Sequence, residues 1–243
     1  MEPEQLPREG AWARPVDRLT VANRPPAQAL NLNVEGRELT GPLQGFGQMW
    51  QKRYTVRLDG ASVTPQEVVA AWKANFGSFW PEGNRFYGSL QGITPGDVAV
   101  LNLSAPGGLP LSTGVLVIYA DDHSFSFMTP QGHMFAGMIT FSAYEEEGAT
   151  QAEIGVLIRA SDPIYEIGCR LGLVHRAEDT FWAQTLEQLA AHFGASGRAR
   201  TQTSRVDNKV QWRQAGNVWH NAAIRSALYA PIQVVRSLVR RAE

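Results

Sequence analysis

The side chains able to do chemistry in this sequence are few and widely spaced. Its five histidines, at 123, 133, 175, 192 and 220, do not pair with one another, with Cys169 or with a carboxylate at the spacing a metal site needs. No metal and no cofactor is therefore expected. Asp121-Asp122-His123 comes nearest to a cation clamp, but it falls where two strands require a tight turn, and a solvated turn is the simpler reading. His133 follows Gly132 at the mouth of a hairpin and is the best single polar candidate for a ligand contact; its alternative is a turn or capping role. Cys169, the single cysteine, lies in a helical stretch, where a lone thiol reads as a small buried apolar group and a nucleophile is the alternative. Asp162 and Glu166 stand one helical turn apart with Arg159 and Arg170 nearby, a pattern of capping and surface pairing.

Phosphate and acyl-transfer signatures are missing. There is no Walker loop, dinucleotide fingerprint or nucleophile elbow. Pro106-Gly107-Gly108 follows a strand but is succeeded by Pro110, so no helix N-terminus is available to cradle a phosphate. The single cysteine also precludes an internal disulfide and suits a reducing compartment. The first 30 residues carry Glu2, Glu4, Arg8, Glu9, Arg14 and Asp17 without an apolar core, so no signal peptide is expected and the reading is cytoplasmic.

Charge is unevenly distributed. From Gly194 onward nine basic residues face only Asp207 and Glu243, a surplus of +7 that leaves -8 on the rest of a chain whose net charge is -1. A basic segment with an apolar stripe attracts an anionic membrane surface or an acidic partner, the chain's own acidic domain included. Nucleic acid is not expected, because no fold signature for it accompanies the charge.

The elements that position these residues follow from periodicity. Residues 1–47 read as a Pro-rich arm with a short strand over 29–34. Gln48–Leu58 alternates and gives the first long strand. Thr64-Pro65-Gln66-Glu67 is a capping box with proline at the first helical position, so a helix starts there and buries Val68, Val69, Trp72 and Phe76. Strands follow over Val98–Leu103, Val115–Ala120, Phe125–Met128, Met134–Tyr144 and Ala152–Ile158, joined by turns. A last long helix starts at Ser161-Asp162-Pro163 and ends at Gly194, with a break near Gly172–His175 because Gly168 and Gly172 each cost ~1 kcal/mol in a helix interior. Residues 195–217, rich in Gly, Ser, Arg and Gln, read as a mobile linker, and 218–243 as a basic amphipathic helical tail.

This order of elements over residues 48–194 resembles the SRPBCC superfamily of START and pollen-allergen-like helix-grip proteins. The likeness rests on the helices of Pro65–Trp80, the hairpins of Val98–Ala160 and the helix of Asp162–Phe193; Thr129-Pro130-Gln131-Gly132-His133 is similar to a bacterial branch. It implies an α+β helix-grip fold, a curved antiparallel sheet wrapped on a long C-terminal helix. It also implies a cavity of several hundred cubic ångströms for a lipid, polyketide or other apolar molecule. The superfamily shares a shape and not a catalytic motif, so no functional residues carry over. Position alone nominates Trp72, Phe76, Tyr119, Phe127, Met138, Tyr165 and Cys169 for the wall, with His133 as its polar member; the alternative is that they fill a solid core. Non-catalytic binding or transport is the leading expectation. A cyclase- or hydrolase-type enzyme is the rival and requires His133 beside a carboxylate. Attachment to a membrane or partner through residues 218–243 is the third reading.

Overall fold

The computed structural model of the protein describes residues 9–21, 29, 31–89, 92–105 and 109–229. Nine strands form a sheet: β1 (Leu39–Thr40), β2 (Met49–Arg57), β3 (Arg85–Tyr87), β4 (Val98–Ala105), β5 (Leu109–Ala120), β6 (Ser124–Pro130), β7 (Phe135–Glu146), β8 (Ala149–Ala160) and β9 (Arg200–Asp207). Their order is β3-β4-β5-β6-β7-β8-β2-β9, with β1 paired to β6, and every pairing is antiparallel. Strict alternation decides which face is buried. In register, Ile139 lies opposite Val156 and Phe141 opposite Ile154, and all four point to the inner face. The architecture is α+β, with the sheet gripping helices on that face.

Helix α1 (Pro65–Ala74) begins as its sequence requires. Thr64 Oγ1 accepts from the Glu67 amide at 3.3 Å while the Glu67 carboxylate accepts from the Thr64 amide at 2.8 Å. Val68, Val69 and Trp72 are buried against the sheet. Asp162 caps α2 (Pro163–Arg170), accepting from the amides of Ile164 and Tyr165 at 2.8 and 3.1 Å. Gly172, with φ of +74°, turns the chain left-handed and starts α3 (Leu173–His192), so the expected break is real and the last helix is two. Gly194 (φ +74°) follows its end.

Three expectations about the flanks change. Residues 31–36 form turns instead of a strand: Asn31 Oδ1 accepts from the Glu35 backbone amide at 3.0 Å, and the Asn33 side chain donates from Nδ2 to the Ser112 carbonyl at 2.8 Å. The arm itself packs on the sheet's outer face, where Leu19 and Val34 bury against Val100 and Leu116. The stretch 195–217 is no loose linker, because it contains β9, which pairs with β2 from Thr55–Arg200 to Met49–Asp207. Its Gly/Ser/Gln composition hid a strand because nearly every side chain on it faces solvent and leaves no apolar alternation. Beyond it, residues 222–229 are helical, and the remainder of the expected basic tail, with Arg236, Arg240 and Arg241, lies outside the described residues.

Replacing Gly172 with alanine forces a side chain into the left-handed region. A loss of about 1–2 kcal/mol in urea unfolding is expected, with an unchanged far-ultraviolet circular dichroism spectrum of the folded state. Unaltered stability would mean that the elbow relaxes into an ordinary helix.

Candidate functional site

Between the inner face of the sheet and α3 lies a cavity of about 160 Å³. Its wall is chiefly aromatic and aliphatic, with Phe76, Trp80 and Phe127 on one side and Val174, Phe181 and Trp182 of α3 on the other. The rings meet edge to face: Phe76 sits 5.4 Å from Trp80, 4.9 Å from Phe86 and 5.2 Å from Phe127, and Trp80 sits 5.2 Å from Phe181. Rigid rings in this arrangement cannot collapse into the last gap, and a void remains. The expected volume of several hundred cubic ångströms is not reached, because ring after ring fills the space between sheet and helix. What remains matches in size the roughly 150 Å³ apolar cavities that stay dry and admit a benzene-sized guest.

Five of the eight sequence-nominated residues, Phe76, Phe127, His133, Met138 and Tyr165, line this cavity, and three do not. Trp72 is fully buried one layer away, 6.0 Å from Phe125 and 5.3 Å from Phe141, as the core of the α1–sheet contact. Cys169 packs into the same core, and burial, aided by nearby Glu166 and Glu178, pushes its thiol well above the ordinary range, so it stays protonated. Tyr119 is on the opposite face. A register shift between Val117 and Tyr119 inserts one residue into β5 and reverses the alternation beyond it. Tyr119 therefore packs on Trp12, tilted, with ring centres 4.7 Å apart, and donates to Asp121 at 2.5 Å. Asp121 in turn accepts from the amides of His123 and Ser124, both at 2.8 Å, which makes Asp121–His123 the hairpin turn.

His133 does not meet a carboxylate. Its Nδ1 lies 3.1 Å from both the amide nitrogen and the carbonyl oxygen of Phe135, and burial lowers its pKa to about 4. The carboxylate of the cavity wall is instead Glu178, at the end of a buried network that sequence reasoning passed over. Lys52 projects from β2 into the inner face and is almost wholly buried. Its Nζ donates to Glu178 Oε2 at 2.8 Å and to Asp179 Oδ1 at 2.6 Å, and Tyr54 donates to Asp179 Oδ1 at 2.7 Å. Burial opposes the ammonium charge, but Glu178 and Asp179 overcome it and hold the Lys52 pKa above its ordinary value. His175 lies 3.7 Å from Glu178, packed between Trp50 and Phe135. The signal was in plain view: Lys52 occupies the inward register of Trp50, Tyr54, Val56 and Leu58, the one charged residue of that series.

Other polar groups are structural. Arg159, expected at the surface beside Asp162, is buried and pairs with Asp207 at the end of β9, donating also to the Gly47 and Lys209 carbonyls. Asp162 spends its second oxygen on Asn221 at 2.8 Å, and Tyr165 accepts from the Ala223 amide at 3.0 Å. Gly132 (φ +90°) lets residues 220–222 approach, for any side chain there would run into the His220 carbonyl. Among the described residues no three His, Cys, Asp or Glu side chains converge on a metal position, and no helix is long and apolar enough to cross a membrane.

The sequence matches no family model and no curated protein. Solved structures similar to it include protein Ms6760 from Mycobacterium smegmatis, at 17% identity over 59% of this chain and 90% of that one, TM-score 0.40. The di-domain ARO/CYC StfQ from the steffimycin biosynthetic pathway is 10% identical over 59% of this chain and 50% of its own, TM-score 0.47. Ara h 8.0201 is 10% identical over 60% of this chain and 97% of its own, TM-score 0.41.

Two outcomes are expected of the polar groups. Lys52→Met leaves Glu178 and Asp179 without their cation and should cost about 3 kcal/mol in denaturant unfolding. Restoring part of that loss by adding Glu178→Gln would locate the cost in the unpaired charge, and an unchanged stability in Lys52→Met would refute the network. For His133, the folded chain keeps the ring neutral down to about pH 4 while the unfolded chain takes up a proton near 6.5. Stability is thus full above pH 6.5 and falls as the pH drops toward 4, by up to about 1.4 kcal/mol per unit. His133→Gln should flatten that slope, measured as urea midpoints between pH 7 and 4.5.

Proposed function

We propose that the protein binds a small apolar molecule, about the size of one substituted aromatic ring, in the cavity between the sheet and α3. The observation that carries this is a roughly 160 Å³ space retained inside an aromatic wall. A void of that kind forgoes packing energy, so its persistence in a core otherwise filled with rings is best accounted for by an occupant. Carriage or sensing fits better than catalysis. The enzyme reading needs His133 beside a carboxylate, and His133 is bonded to backbone instead. The same cavity supports membership of the SRPBCC superfamily, whose members hold apolar ligands at this place. Larger occupants, a lipid among them, require the elbow at Gly172 to move, since Val174 and Ala177 just beyond it stand on the cavity wall.

Toluene serves as a probe. Saturating toluene should raise the melting temperature of the full chain, by an amount equivalent to about 2.7 kcal/mol at one hundred times its Kd. Val115→Phe fills the cavity from β5 and should abolish the shift without lowering the melting temperature of the unliganded protein, because the added ring occupies existing space. The same shift in both proteins, or none in the wild type, would overturn the proposal.

A further inference from the structure

Two of the polar groups on the wall of the cavity have incomplete hydrogen bonding. Glu178 is one. Its side chain is 7% exposed, its Oε2 takes Lys52, and its Oε1 receives no hydrogen bond among the described residues. Trp80 is the other: 7% exposed, with an indole N–H that has no acceptor. Four other polar side chains of the wall each have at least one partner, although the second ring nitrogen of His133 and the hydroxyl proton of Tyr165 have none among the described residues. Asn84 accepts from the Ser104 amide and donates to the Pro81 carbonyl. Thr129 accepts from the Gly137 amide and donates to the Thr40 carbonyl, His133 Nδ1 is bonded to the backbone of Phe135, and Tyr165 accepts from Ala223.

Buried carboxylate oxygens and indole N–H groups are ordinarily satisfied, and leaving one bare costs more than the net worth of the bond it lacks. The two bare groups are of opposite kind, an acceptor and a donor. They are connected through packing as well. Phe181, three residues along α3 from Glu178, faces the ring of Trp80 at 5.2 Å. An apolar guest satisfies neither group. The Trp80 N–H has almost no accessible surface, so Glu178 is the group a guest can serve, and a guest with a hydroxyl brings the proton it lacks.

We infer that the ligand is an apolar ring bearing a hydroxyl, a phenol-type molecule, whose O–H donates to Glu178 Oε1. Lys52 is the positioning residue: its bond to Oε2 fixes the carboxylate and leaves Oε1 for the guest. The inference rests on the cavity reading above and adds the polar end of the ligand to it. A carboxylate acceptor strengthens the bond and selects against guests that offer only an acceptor, since two acceptors facing each other repel.

Three probes of nearly equal shape separate the possibilities: toluene, p-cresol and 4-methylanisole, titrated against the full-length protein with tryptophan fluorescence as the readout. The wild type should bind p-cresol about 10-fold or more tightly than toluene, and 4-methylanisole no better than toluene, because its oxygen has no proton. In Glu178→Gln the preference for p-cresol over toluene should shrink to within about threefold, while toluene affinity holds. Equal affinity of the wild type for p-cresol and toluene would overturn the inference and leave the cavity reading intact. So would a p-cresol preference that survives in Glu178→Gln. Failure of all three to bind would overturn both. Should Glu178→Gln not fold, the three-probe comparison on the wild type decides alone.

Discussion

An ammonium group on the inner face of a sheet has to be neutralised where it stands, because water cannot reach it. Lys52 is in that position, midway along β2 between Trp50 and Tyr54, and Glu178 and Asp179 of α3 supply the charge. The consequence is geometric before it is energetic. Two consecutive carboxylates must both turn toward one nitrogen, so the rotation of α3 about its own axis and its position along the sheet are set together. Apolar stripes slide; an ion pair at 2.6–2.8 Å does not. Phe181 and Trp182 follow on the same helix and are thereby placed over the aromatic floor.

The cavity is what that placement leaves. A stripe of leucines would settle into any hollow beneath it, whereas tryptophan and phenylalanine rings held edge to face keep their outlines. The ion pair on one side and the capped start of α2 on the other pin the bent helix to either side of its elbow. Between them the Gly172 elbow carries the chain across the cavity rim. Core and cavity wall are therefore made of the same residues, which is why position alone could nominate Phe76 and Phe127 and yet not tell a wall from a filling.

Much of this was legible in the sequence for local reasons. The capping box at Thr64, the cap and proline at Asp162-Pro163, the alternation of β7 and β8 and the glycine at 172 each act within a few residues, and each produced the element it announced. What escaped depends on partners far along the chain. Tyr119 follows the alternation of Val115 and Val117, and only the extra residue against β6 reverses it. In β9 the sequence is polar because both faces are open to water and the strand needs nothing but the backbone of β2. Lys52 did stand out, as a charge in an inward register, but its meaning required Glu178 and Asp179, more than a hundred residues away.

The place of β2 in the sheet has a bearing on how the protein is made. It is the first long strand to be synthesised, yet both its neighbours, β8 and β9, come from the second half of the chain. Until they exist, a strand with two unpaired edges and with Trp50, Tyr54 and Val56 uncovered is exposed on the nascent polypeptide, the kind of segment that pairs with other copies of itself. A free lysine at its centre, flanked by Arg53, is a guard against that pairing. The same charge that later draws α3 into register thus keeps the unfinished chain soluble while it waits for its partners.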